Sequence, residues 1–450
     1  MKKLIALLLA LVMVLGLVAC GASEPEAPAA PEAPKAEAPA APEAEAPAAP
    51  EVDENNPLYT MPTENVSLQV WYAVSGVTGE KFEALVNEWN AAHPNVTIEL
   101  SYAGSYADAA EKISANLLTN TAPDVALISA APLYTGARED WTIETLIEDP
   151  AFDKDGIYEG VWKYAQFQNR ICALPYGISV PVLYYNKDII EAAGIDLATE
   201  APKSWDDLYA LAERAVKDGG ATYGFDVNDV PWLFKSMLNQ NGNSIIDTSS
   251  GSVEPVYNDA AAVEVGQFWQ KLTANGLMPI DQHGNADKSF QAGQTAFLVS
   301  SSVRLARWGG NTEIADFGCL PMPSFAQESV ALGGNHLVCF PNGDDAKLAA
   351  AWDLLKFLMG EEKHTEFAIE TGYLPIYASA MESDYVKNAI AEDGRRQTVY
   401  DYMANAWSYW HFDEMGTMDN ILWTVVSEIE NGADVQEALD DGIQDLLDEM

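Results

Sequence analysis

Residues 174–208, LPYGISVPVLYYNKDIIEAAGIDLATEAPKSWDDL, carry a series of local structure signals that decide the fold class. The run 180–185 is apolar and β-branched or aromatic with no polar alternation, the pattern of a strand covered on both faces. Pro181 is its only breaker and stands near the strand start, where a missing N–H is tolerated. Asn186 then suits the N-cap of a short helix to Ala193, and Gly194 fits the C′ stop of that helix. Ser204 caps a second helix, whose Asp206 and Asp207 favour its positive N-terminal end. The stretch reads as loop, strand, helix, loop, helix, an α/β unit.

The alternation continues on both sides. Upstream, 67–73 and 95–102 read as strands around a helix 79–92 with Phe82, Leu85, Val86 and Trp89 on one side, followed by a helix 105–119 and a strand 124–128. Downstream, helices at 229–239, 259–275 and 286–291 precede another apolar run, 295–300. Strands alternating with helices imply a mostly parallel sheet with helices on both faces.

Residue identity adds to periodicity. PVLYYNKD at 181–188, the Ala193-Gly194 turn and PKSWDDL at 202–208 resemble the hinge-crossing strand of the family 1 extracellular solute-binding proteins of ABC uptake systems. SFQAGQTAFLVSSSVRL (289–305) is similar to that family's second crossing, and Trp71 to Gly76 to its opening pattern. The resemblance runs over nearly all of residues 66–450. It implies a two-lobed, type II (maltose-binding-protein-like) α/β fold with a ligand cleft between lobes. Lobe 1 is expected at 58–177 plus 301–355, and lobe 2 at 178–300 plus 356–450. FGCLPMP (317–323) and LGGNHLVCF (332–340) look like paired strands of lobe 1.

Residues 1–19 have two lysines and then an apolar run shaped like a secretory signal and too short for a comfortable membrane span. Leu17-Val18-Ala19-Cys20 with Gly21 matches the bacterial lipoprotein box, so Cys20 is expected to carry the lipid anchor. The remainder of 20–57 is almost entirely Ala, Pro and Glu, a composition that cannot bury a core and acts as a semi-stiff spacer. The whole chain has 68 acidic and 24 basic residues and a net charge of -44, which argues against nucleic acid as a partner. Besides Cys20 there are Cys172, Cys319 and Cys339, with no C-x-x-C, so no disulfide framework is expected. Cys319 and Cys339 suit either a pair, if adjacent, or separate buried thiols. The five histidines are scattered without metal-ligand spacing, so neither a metal site nor a cofactor is expected.

Two lobes joined by crossing strands place a cleft at the carboxyl ends of both sheets. Within the family the nearest pattern is that of the glycerol-3-phosphate-binding members, and it places Tyr106, Ser179, Ser301, Gly334 and Tyr373 at ligand contacts. Each also has a plainer reading: amphipathic packing for the tyrosines, a turn former, a helix N-cap and a backbone necessity for the rest. Trp205 and Trp232 are added as stacking platforms for a pyranose, with core packing as the alternative. Ala130 and Leu422 stand where the resemblance expects an acidic and a phosphate-binding basic side chain, which turns the expectation from a phosphorylated ligand to a neutral saccharide. The chain is thus expected to be a monomeric, lipid-anchored binding protein on the extracytoplasmic face of a bacterial membrane. It would capture a carbohydrate by lobe closure and deliver it to an ABC permease. The alternatives are a glycerol-3-phosphate or glycerophosphodiester binder and a surface glycoside hydrolase, the latter without any motif that fixes an acid and a nucleophile.

Overall fold

The computed structural model describes residues 56–129, 142–167, 170–309, 311, 313–340, 343–404, 406–409 and 411–450. Cys20, the spacer up to residue 55, Ala130 and Trp410 lie outside them. The main strands are β1 Val66–Tyr72, β2 Val96–Tyr102, β3 Val125–Ser129, β4 Leu174–Ser179, β5 Pro181–Asn186, β6 Tyr223–Val227, β7 Thr295–Ser301, β8 Phe317–Leu320 and β9 Gly333–Cys339. The helices that matter below are α1 Val77–Ala92, α2 Tyr106–Leu117, α3 Trp205–Lys217, α4 Val230–Gln240 and α5 Ala260–Ala274. With them are α6 Arg304–Trp308, α7 Asp345–Met359, α8 Glu361–Thr371, α9 Met415–Glu430 and α10 Val435–Glu449.

Two sheets result. The first has the order β2-β1-β3-β9-β4 and the second β8-β5-β7-β6. Parallel β1, β2 and β3 come from the strand–helix alternation, while β9 returns antiparallel to both β3 and β4. Each sheet is therefore mixed. Residues 174–179, expected as a loop, form β4 at the edge of the first sheet. Pro175 has no N–H to give a ladder, and an edge strand tolerates that. The chain passes from the first sheet to the second at Val180, and there Ser302 N donates to Val180 O at 2.9 Å. The crossing strand is thereby bonded to the chain leaving β7.

Caps fall where the sequence puts them. Asn186 Oδ1 accepts from Ile189 N, and Ser204 and Asp207 exchange reciprocal bonds in a capping box at the start of α3. Helix α1 buries Phe82, Leu85, Val86 and Trp89, each worth about 1.5–3 kcal/mol when fully removed from water.

Two expectations are corrected and one open alternative is decided. Phe317–Leu320 and Gly333–Cys339 are not paired strands of one lobe: β8 lies beside β5 in the second sheet, and β9 lies in the first. Residues 301–332 thus do not belong wholly to the first lobe. Helices α7 and α8 pack on α1, β1 and β4, so residues through Thr371 go with the first sheet rather than breaking at 355. The apolar face of α7, including Trp352, Leu354, Leu355 and Leu358, needs the first sheet to cover it. Because Cys319 and Cys339 occupy different sheets they do not pair, and Cys172, Cys319 and Cys339 are free thiols.

The second lobe contains a buried charge network. His283 Nδ1 meets Asp226 Oδ1 and its Nε2 meets Glu430 Oε1, both at 2.7 Å, and Trp269 Nε1 also donates to Glu430 Oε1 at 2.7 Å. This ties the end of β6 to the C-terminal turn of α9.

Candidate ligand cleft

A cavity of about 430 Å³ lies where the carboxyl ends of the two sheets meet, within the size range of small-molecule sites. On the first-sheet side Ser129 ends β3, Ser179 ends β4, and Gly333 and Gly334 open the antiparallel β9 at the same edge. On the second-sheet side Asn228 and Asp229 follow β6, and Ser301 ends β7. Helices α4, α6 and α9 supply Trp232, Lys235, Arg304, Arg307, Met415, Gly416 and Asp419.

One wall is organised by Asn335, which is fully buried in β9. Its Nδ2 donates to Tyr106 Oη at 3.2 Å and to Tyr373 Oη at 2.9 Å, while its Oδ1 accepts from Gly177 N at 2.9 Å. Each phenol oxygen is thus satisfied as an acceptor. Burial raises both phenol pKa values, so each keeps an O–H to donate. Gly334 beside them has φ +125°, which L side chains rarely adopt, and a Cβ there would lie 1.8 Å from Gly177 O.

The charged groups are largely neutralised within the protein. Lys235 Nζ, itself buried, sits 2.5 Å from Asp419 Oδ1 and 4.2 Å from the centroid of the Tyr409 ring. Arg304 Nη2 sits 2.5 Å from Asp287 Oδ2, and Ser300 Oγ donates to Oδ1 of the same carboxylate at 3.1 Å. Asp229 caps α4, accepting from Trp232 N at 3.1 Å. Burial raises its carboxyl pKa, the capping bond opposes that, and nearby Asp419 adds to the rise. Among the described residues Arg307 makes no ion pair.

Six of the seven candidate ligand residues line this cavity: Tyr106, Ser179, Trp232, Ser301, Gly334 and Tyr373. Trp205 does not. It is 1% exposed, packed against Phe225, Phe268 and Phe325, with Nε1 donating to Gln240 Oε1 at 2.7 Å. At the first helical position of α3 its ring turns onto the hydrophobic face of that helix. Trp205→Phe is expected to lower stability by about 1–3 kcal/mol, because Gln240 Oε1 loses its buried donor, and to leave solute affinity unchanged. Chemical denaturation beside calorimetric titration checks both halves.

Leu422 is also absent from the cavity. It is fully buried one turn beyond Asp419, and the residues of α9 that reach the cavity are Met415, Gly416 and Asp419. The sequence reading missed Asn335, Lys235, Asp419, Arg304 and Arg307. Asn335 left one signal, a lone amide inside the otherwise strand-like LGGNHLVCF.

Residues 84–392 match the model of a protein family described as bacterial extracellular solute-binding protein. The chain belongs to that family. As an extracellular solute-binding protein it works outside the cytoplasm, and the two-lobed, maltose-binding-protein-like fold is the one its solved neighbours share. It is 23% identical over 350 residues to the sn-glycerol-3-phosphate-binding periplasmic protein UgpB of Agrobacterium fabrum, covering 74% of this chain and 79% of the relative. The structure of a cyclic α-maltosyl-1,6-maltose binding protein from Arthrobacter globiformis matches with TM-score 0.73 at 22% identity, over 85% of this chain and 98% of that one. UgpB from Mycobacterium tuberculosis, solved with glycerophosphocholine, matches with TM-score 0.72 at 21% identity and the same coverage, 85% and 98%.

Proposed function

We propose that this solute-binding protein captures a neutral carbohydrate in the cleft by lobe closure and delivers it to an ABC permease. The observation that carries the reading is the pairing of Lys235 with Asp419 and of Arg304 with Asp287. Two of the three basic side chains at the cavity are already neutralised, whereas phenol, serine and indole groups face it. Hydroxyl partners with an aromatic face suit a sugar ring. A solute touching both lobes favours the closed state by the difference between its contacts in the two states. Tyr106, Ser179, Ser301, Gly334 and Tyr373 are proposed as polar contacts and Trp232 as the stacking platform.

A second reading, a glycerophosphodiester, is favoured by Arg307, which lines the cavity without an acid partner among the described residues, and by the ligands of the UgpB relatives. Leu422 does not count against it, since that side chain does not reach the cavity. A thermal-shift screen of neutral mono- and oligosaccharides beside glycerol-3-phosphate and glycerophosphocholine separates the two. A true ligand at about 100 times its dissociation constant adds about 2.7 kcal/mol. A response confined to the phosphorylated compounds overturns the carbohydrate reading. We read the protein as a binder rather than an enzyme, so oligosaccharides incubated with it should be recovered uncut.

Attachment is proposed through diacylglyceryl-Cys20, with the Ala/Pro/Glu spacer holding the lobes off the surface as a monomer. A single acyl chain gives marginal binding, and a second makes it stable. Cys20→Ser is expected to release the protein into the medium, checked by fractionation, and full retention on the membrane would exclude the anchor.

A further inference from the structure

We propose that Gly333 sets how far the two lobes close, by acting as the seat for the Trp232 ring. Trp232 lies in the first turn of α4, on the second-sheet side of the cavity. Gly333 is the first residue of β9 in the first sheet, paired with Ser179. A Cβ at position 333 would stand 2.7 Å from Trp232 Cζ2 and 3.0 Å from Cε2, closer than a methyl and a ring carbon approach. Backbone conformation does not explain this glycine: Gly334 has a positive φ, whereas Gly333 is not among the positive-φ glycines. What position 333 requires is the space.

The helix that carries the ring is held in place. Trp232 N is held by Asp229 Oδ1 at 3.1 Å, and Trp232 O accepts from Ser236 Oγ at 2.9 Å. The neighbouring Leu233 and Phe234 are fully buried, which fixes the rotation of α4. A methyl at 333 therefore presses on the ring, and a ring that keeps its rotamer passes that displacement to α4 and the second lobe. Among the described residues Trp232 Nε1 is buried without a hydrogen-bond partner, so apolar contact rather than a polar latch holds the ring there. Both residues line the cavity, so the contact also bounds one of its ends. The inference depends on capture by lobe closure and not on which solute is captured.

The test uses the full chain with spin labels on cysteines introduced at Glu99 in β2 and Gln267 in α5, both exposed, and reads the interlobe distance by pulsed electron paramagnetic resonance. In the absence of solute, Gly333→Ala should reduce the short-distance population at least tenfold. Gly333→Ala combined with Trp232→Leu should restore it, and Trp232→Leu alone, which adds no atoms at 333, should close at least as far as the parent. Identical distributions for the parent and Gly333→Ala, or a double variant as open as the single one, overturn the proposal. Maltotriose is then added as a probe, and Gly333→Ala should need at least tenfold more of it than the parent to reach the short distance. If maltotriose moves no variant, maltotriose is excluded as a solute while the solute-free comparison still decides the role of Gly333.

Discussion

His283→Ala is expected to destabilise the protein by about 3–5 kcal/mol, because removing the imidazole leaves the Asp226 and Glu430 carboxylates facing each other in a buried site without their shared partner. The side chain is 2% exposed, so water cannot take its place without opening the junction between β6 and α9. Burial alone would lower the imidazole pKa, yet the bonds to Asp226 and Glu430 outweigh it and raise it to about 9. The folded value is above the ordinary 6.5, so the stabilisation is fully present below pH 6.5 and is lost as pH rises through about 9. Urea denaturation between pH 6 and 10 should show stability falling across that window, and the fall should be absent in His283→Gln. A flat profile for the parent, or a His283→Ala cost below about 1 kcal/mol, would show that the imidazole is not carrying the charge.

Gly334→Ala is expected to be at least as damaging and, unlike the histidine change, to abolish solute binding. The conformation at φ +125° strains any L residue by about 1–3 kcal/mol. Steric overlap adds to this, since the Cβ would fall 1.8 Å from Gly177 O on the paired strand. The only relief is to part β9 from β4, which breaks the bond from Gly177 N to Asn335 and with it the support of Tyr106 and Tyr373. A total cost on the order of 3 kcal/mol or more follows, together with loss of the thermal shift given by whichever solute the parent binds. A variant that kept parental stability and affinity would mean that β9 and β4 are not paired this way in solution.

The parts of the fold that were legible in the sequence are those set by local chemistry. The apolar run 180–185 with Pro181 at its start, the Asn186 cap and the Ser204–Asp207 capping box each need only a few neighbouring residues. The parts that were not legible depend on partners far along the chain. Residues 174–179 contain Pro175 and Gly177 and read as a loop until β9 arrives to pair with them. FGCL and LGGNHLVCF look alike as short apolar strands, and nothing local tells one sheet from the other. The same limit explains the cleft. Tyr106, Ser179, Ser301, Gly334 and Tyr373 came from a family pattern, whereas Trp205 and Trp232 came from residue type alone, and residue type does not report which way a ring faces. Lys235 and Asp419 are 184 residues apart, so their pairing has no local signature.

In the first sheet the partner of β4 is β9, so Leu174–Ser179 waits unpaired until Gly333–Cys339 has left the ribosome. At bacterial elongation rates of about 5–20 residues per second the delay is on the order of ten seconds. The second sheet begins and ends inside that interval, which forces the two lobes to mature in an interleaved order rather than one after the other. Such long-range pairing slows folding. The first sheet therefore locks only after almost the whole chain is available.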